Sequence, residues 1–334
     1  RVTPLARKEN VMFKRILVPI DGSEESRTIV RWAAGLARAN EAEITLLSVV
    51  DPEEFRIVEA TAMGPFTTEA PIEVIAEFVE QRKAELETEA ETLRATGLIV
   101  DVVVIDGAPA ETIVAEAKKL DVDLIAMSTR RESALARGIL GSVTDRVLHS
   151  TTTPLLVLQP EDLEDESIGT GFVSRIVVPL DGSTLSEQAV APAVALARVT
   201  GAELVFTEVV RVPIYGVEMG GIGYGSVHYA EAFSTELQEE EAAKYLAAFV
   251  ENAETAGLKA RAEVRTGNPS IQIVDEAAAP GSVIVMATHG AGGIKRWMIG
   301  SVTDKAIRSA HRPVLVIPPQ AARSEERRVG KECR

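Results

Sequence analysis

The sequence predicts an α/β fold of two repeated, doubly wound domains, each a five-stranded, mostly parallel sheet with helices on both faces. Three observations carry this reading. First, RILVPIDGS (15–23) returns as RIVVPLDGS (175–183), an offset of 160, and ILGSVTDRVLHSTTTPLLVLQP (139–160) returns as MIGSVTDKAIRSAHRPVLVIPP (298–319), an offset of 159. Two landmarks at nearly constant offset mark a duplicated domain, since the period is far longer than the roughly 20–50 residues of a solenoid repeat. Second, short apolar runs rich in β-branched residues alternate with stretches of helical spacing. Third, the strand runs are almost unbroken in hydrophobicity, as parallel strands covered on both faces are.

In chain order, RILVPI (15–20) is a strand. SEESRTIVRWAAGLARAN (23–40) places Ile29, Trp32, Ala33, Leu36 and Ala37 on one helical face. ITLLSVV (44–50) is a strand, and Pro71 to Thr96 reads as a long amphipathic helix closed by Gly97. LIVDVVVI (98–105) is a strand, and PAETIVAEAKKL (109–120) is a helix with Pro109 at its start. DLIAMST (123–129), SVTDRVLHS (142–150) and PLLVL (154–158) complete the copy as strand, helix and strand. The second copy repeats the order: VSRIVVPL (173–180), the helix TLSEQAVAPAVALARV (184–199), ELVFTEVV (203–210), a long helix from about 229 to Ala256, KARAEVR (259–265), SIQIVDEAAA (270–279), SVIVMAT (282–288), SVTDKAIRSA (301–310) and PVLVI (313–317). We therefore expect domains at 12–159 and 172–318, an acidic, glycine-containing linker at 160–171, and a charged, aperiodic tail at 319–334.

Composition narrows the function. The 334 residues are 46% hydrophobic, enough to build packed cores. Net charge is −15, from 35 basic and 50 acidic residues, which disfavours nucleic-acid and anionic-membrane binding. Cys333 is the only cysteine, as expected of a reducing cytoplasm, and leaves no thiolate metal site. No apolar run approaches the roughly 20 residues of a membrane span, and no signal-peptide pattern is seen.

Doubly wound sheets bind ligands beyond the carboxyl ends of their strands, where the strand order reverses. That directs attention to Asp21 and Asp181 after the first strand of each copy, and to the segments after DLIAMST and SVIVMAT. In the second copy the glycines 290, 292 and 293 permit positive φ and close backbone approach, and Gly300 is expected to do the same before the helix. Ser301 and Asp304 fit an N-cap and its capping-box partner. A helix N-terminus so placed is a seat for phosphate. GSVTD alone is also an ordinary helix start. Asp21 and Asp181 fit two compatible roles, capping the next helix and facing a ribose hydroxyl or a nucleotide-bound Mg2+. His289, Lys295 and Arg296 suit either phosphate or solvent. The glycine-rich stretch from Tyr215 to Tyr229 suits a surface loop or a lid.

In combination these motifs resemble a tandem universal stress protein over residues 12–159 and 172–318. Nucleotide-binding members of that family show a glycine, two residues, a glycine, nine residues, then Gly-Ser or Gly-Thr. The second copy matches with Ala287, Gly290, Gly300 and Ser301, so only the first glycine is replaced. The first copy has Ser128 and Arg131 in place of both upstream glycines, then Gly141 and Ser142. The resemblance implies an ATP or other adenine-nucleotide site in the second copy, with or without Mg2+, at Pro179, Leu180, Asp181, Val209, Met286, Ala287, His289, Gly290, Gly300, Ser301, Val302 and Thr303. The first copy's counterparts, Asp21, Val49, Met127, Arg130, Arg131, Gly141, Ser142, Val143 and Thr144, are expected to bind weakly or not at all. One escape is that Arg130 and Arg131 replace the lost backbone contacts.

Neither a P-loop nor a nucleophile–base constellation nor a His/Cys metal cluster is present in the sequence. The resemblance therefore points to a nucleotide-dependent regulatory or interaction module of a stress response, with an unidentified protein partner. A scaffold with vestigial sites and a slow ATPase are the alternatives. By analogy the copies pair through PLLVL and PVLVI as an internal pseudo-dimer, with a homodimer as a further option.

Overall fold

The computed structural model describes residues 13–53, 72–129, 140–159, 173–211, 224–288 and 299–319. The expected linker, the expected tail beyond Pro319, and His289, Gly290, Arg130 and Arg131 lie outside the described residues. The first half runs β1 (Arg15–Pro19), α1 (Glu24–Asn40), β2 (Glu43–Val50), α2 (Ile72–Arg94), β3 (Ile99–Asp106), α3 (Pro109–Lys119), β4 (Leu124–Ser128), α4 (Ser142–Ser150) and β5 (Leu155–Leu158). The second runs β6 (Arg175–Leu180), a 3₁₀ turn (Ser186–Ala189), α5 (Val190–Thr200), β7 (Glu203–Val210), α6 (Tyr224–Thr255), β8 (Ala260–Thr266), α7 (Pro269–Glu276), β9 (Ser282–Ala287), α8 (Ser301–Ser309) and β10 (Val314–Ile317).

All ten strands form one sheet in the order β3-β2-β1-β4-β5-β10-β9-β6-β7-β8. Within each half every pairing is parallel, and the order reverses between β1 and β4, and again between β6 and β9. The halves meet where β5 and β10 pair antiparallel, with Leu315 opposite Leu156. Strand residues alternate between two apolar clusters, one on each face of the sheet. Ile16 and Val18 join the cluster under α1, α2, α5 and α6, while Leu17 joins the one under α3, α4, α7 and α8. Each such fully buried aliphatic side chain stabilises the fold by about 1.5–3 kcal/mol.

Beyond the earlier start of α6, at Tyr224 inside the stretch read as a loop or lid, two features depart from the sequence reading. The helix expected over 184–199 is split: the 3₁₀ turn precedes α5, whereas α1 is continuous in the first copy. Pro192 explains the difference. It has no N–H to donate to the carbonyl four residues back, and its ring crowds that carbonyl, so the chain can only become α-helical with Pro192 in the first turn. The second departure is a polar layer under α7. Glu276 is 5% exposed, yet it accepts from Arg261 (2.5 Å) and from Arg265, with Arg175 at 3.9 Å. KARAEVR carries its arginines on the face where the first copy's β3 has Asp101 and Ile105.

Candidate functional site

Each copy brings a β1-type strand end, a β2-type strand end and the N-terminus of a late helix to one crevice at the reversal of strand order. In the first copy that crevice is a cavity of about 370 Å³, within the range of small-molecule sites. Its lining includes Asp21, Val49, Met127, Gly141, Ser142, Val143 and Thr144. Every described residue assigned to the first copy from sequence is therefore in one place. The lining also includes Ser48, Phe78, Arg82, Pro109 and Ile113, which the sequence reading missed. They come from the middle of β2 and from two helices distant in sequence from the glycine motif, so spacing did not reveal them.

After β1, Asp21 Oδ1 accepts from the backbone N (2.9 Å) and hydroxyl (2.6 Å) of Ser23. Ser23 Oγ in turn accepts from Ser26 N (3.2 Å), capping α1. The second copy repeats the device: Asp181 Oδ1 accepts from Ser183 N (3.1 Å) and Oγ (2.6 Å), and Ser183 Oγ accepts from Ser186 N (3.1 Å). Neither aspartate is a cap: Asp21 fixes Ser23, the N-cap of α1, and Asp181 fixes Ser183 just ahead of the 3₁₀ turn, whose N-cap is Leu185. The intervening glycine turns the chain, with φ +85° at Gly22 and +76° at Gly182. A Cβ on Gly22 would collide with the guanidinium of Arg82, whereas nothing lies within 4 Å of one on Gly182. Aligning Gly97 with Gly257, the positive-φ glycines after α2 and α6, puts Ala242 at the place of Arg82.

At the late helices three expectations are corrected. Gly141 and Gly300 are the N-caps, with no side-chain cap hydrogen bond, so Ser301 is the first helical residue rather than the cap. Asp304 is no capping-box partner either: its Oδ1 accepts from Arg308 Nε (2.9 Å). Nor does Gly300 adopt positive φ; at −64° any residue fits its backbone. The GSVTD phrase instead fastens the helix to the sheet. Thr303 Oγ1 donates to Ala287 O (3.0 Å), Gly300 N donates to Thr288 O (2.7 Å), and Thr144 Oγ1 donates to Ser128 O (3.4 Å). Both threonines are 3% exposed, so what they offer a ligand is backbone N–H. Ser142 and Ser301 are exposed. Arg308 also donates to Asp145 (2.9 Å), so one arginine ties the first turns of α4 and α8 together.

Around the second crevice, Pro179, Leu180, Met286 and Ala287 are buried and Val209 is half-buried. Glu208, beside Leu180 in register, has its carboxyl pushed above the usual range, first by burial and then by the charge of Asp181. Tyr245 of α6 donates to Glu187 (3.0 Å). Burial foremost, and then Glu187, Glu208 and Asp181, push its hydroxyl well above the usual tyrosine value. This crevice is acidic on the side where the first copy carries Arg82. Among the described residues no group of three or more His, Cys, Asp or Glu is arranged to hold a metal.

The model of the universal stress protein family matches residues 12–159 and 173–318. A universal stress protein of Mycolicibacterium smegmatis is 29% identical over 311 residues, covering 91% of this chain and 97% of that protein. One from Methanocaldococcus jannaschii is 34% identical over 156 residues, covering 46% of this chain and 87% of that protein. The crystal structure of a universal stress protein from Archaeoglobus fulgidus superposes with a TM-score of 0.61 at 22% identity, covering 92% of this chain and 98% of that one.

Proposed function

The chain belongs to the universal stress protein family, and on that premise we propose that its second copy, within 172–318, binds an adenine nucleotide and that occupancy sets the protein's affinity for a partner. One observation supports this above the others. α8 begins at Gly300 without a side-chain cap and is fastened by Thr303 and Gly300 to the end of β9. In this reading its first-turn N–H groups at Ser301, Val302 and Thr303 face the crevice beside Asp181, as their counterparts Ser142, Val143 and Thr144 line the first copy's cavity with Asp21. Free N–H groups at a helix N-terminus suit a phosphate, and Asp181, already fixed through Ser183, suits the hydroxyls of a ribose or a nucleotide-bound Mg2+. ATP is the first candidate.

α4 begins in the same way at Gly141. The first copy, within 12–159, is the weaker site in this reading, because the close-approach glycines upstream of Gly141 are replaced. Hydrolysis ranks lower in this reading, since the sequence carries no nucleophile–base constellation. Among the described residues no helix is long and apolar enough to cross a membrane, and the lone Cys333 suits the cytoplasm.

Isothermal titration of the full chain with ATP tests the reading. We expect one dominant site per chain, weakened about tenfold or more by Asp181→Ala, as loss of a charged hydrogen-bond acceptor implies. Two equal sites per chain would overturn the ranking of the copies. No binding at millimolar ATP would overturn the function.

A further inference from the structure

The copies also differ on the strand that forms the wall of the crevice. In the first, Leu47, Ser48, Val49 and Val50 of β2 all line the cavity, and Pro19 pairs with Leu47. In the second, Pro179 pairs with Thr207 and Leu180 with Glu208. Thr207 and Glu208 thus hold the places of Leu47 and Ser48.

Thr207 is 0% exposed, and neither its hydroxyl nor Glu208 Oε2, itself a buried atom, has a hydrogen-bond partner among the described residues. Burying a hydroxyl or a carboxylate oxygen without a partner is costly. Native proteins rarely carry two such atoms on adjacent residues unless something else supplies their partners. Consecutive strand residues point to opposite faces. Thr207 shares the face of Val205 and Val209, which pack on the cluster under α7 and α8. Glu208 points the other way, toward Asp181, Glu187 and Tyr245. A ligand seated at the strand end would be gripped from both sides. Its N–H or O–H groups would satisfy the hydroxyl and relieve the repulsion between the two carboxylates. At Leu47 the first copy has no polar atom to offer.

We propose that Thr207 and Glu208 are the specificity-determining pair of the second crevice, bonding the polar edge of a nucleoside that the first crevice cannot hold in this way. This rests on the nucleotide reading above.

The isosteric variants Thr207→Val and Glu208→Gln, made in the full chain, test it by melting temperature without ligand and by titration with ATP. If the hydroxyl waits for a ligand, Thr207→Val raises the melting temperature while weakening ATP binding about tenfold. Glu208→Gln is expected to weaken binding about tenfold as well. A hydroxyl with a structural partner would give the opposite sign, a lower melting temperature, and would overturn the inference. Variants that bind ATP as tightly as a binding wild type would overturn it alone, leaving the proposed function in place. A wild type that binds no ATP would overturn both.

Discussion

Glu208 shows how one side chain couples the site to the medium. Its carboxyl is pushed up by burial and by Asp181, so the folded state holds a proton that the unfolded chain releases at lower pH. Stability therefore falls as pH rises from the ordinary glutamate value through the higher folded one, because within that window the folded state binds more protons. Glu208→Gln removes this cost, and thermal melts should show it raising the melting temperature more at pH 7 than near pH 4. Equal shifts at both would show that the carboxyl is not strained. At this scale the sequence was informative about identity and poor about role. Asp181 was legible from PLDGS, but its grip on Ser183 depends on a turn that spacing does not display. Thr207 and Glu208 were invisible, since ELVFTEVV reads as one more buried strand and nothing in it tells a bonded hydroxyl from an unbonded one.

Elements were more legible, because each rests on a long periodic signal. The strands and most helices emerge where hydrophobic spacing placed them. α5 is shorter than expected because apolar spacing runs straight through Pro192 and conceals the missing N–H. The polar layer beneath α7 was missed for a related reason: the arginines of β8 and Glu276 of α7 are separated by a turn and only meet once α7 packs on the sheet. Glu276 is almost wholly buried among Arg175, Arg261 and Arg265. Removing one charge from such a group strands the others, so Glu276→Gln should cost about 3 kcal/mol in urea denaturation. A cost under about 1 kcal/mol, the typical value of a surface pair, would show that water reaches the arginines.

For the whole molecule, the repeat in the sequence foretold two similar halves, and the antiparallel seam of β5 with β10 joins them into one sheet whose edge strands, among the described residues, are β3 and β8. Excising either half would lay bare the last strand. We expect residues 173–318 produced alone to dimerise through β10, because an unpaired apolar edge is a template for another strand. Light scattering after size exclusion checks this; a stable monomer would mean that the seam contributes little. The joining of both halves in one chain also has a genetic consequence. When two identical chains assemble, every substitution appears twice, and a change that suits one crevice is imposed on the other. Here each crevice has its own codons, so Arg82 stands in one and Glu208 in the other. Two crevices encoded separately can diverge residue by residue, as the stretches before the two GSVTD phrases do.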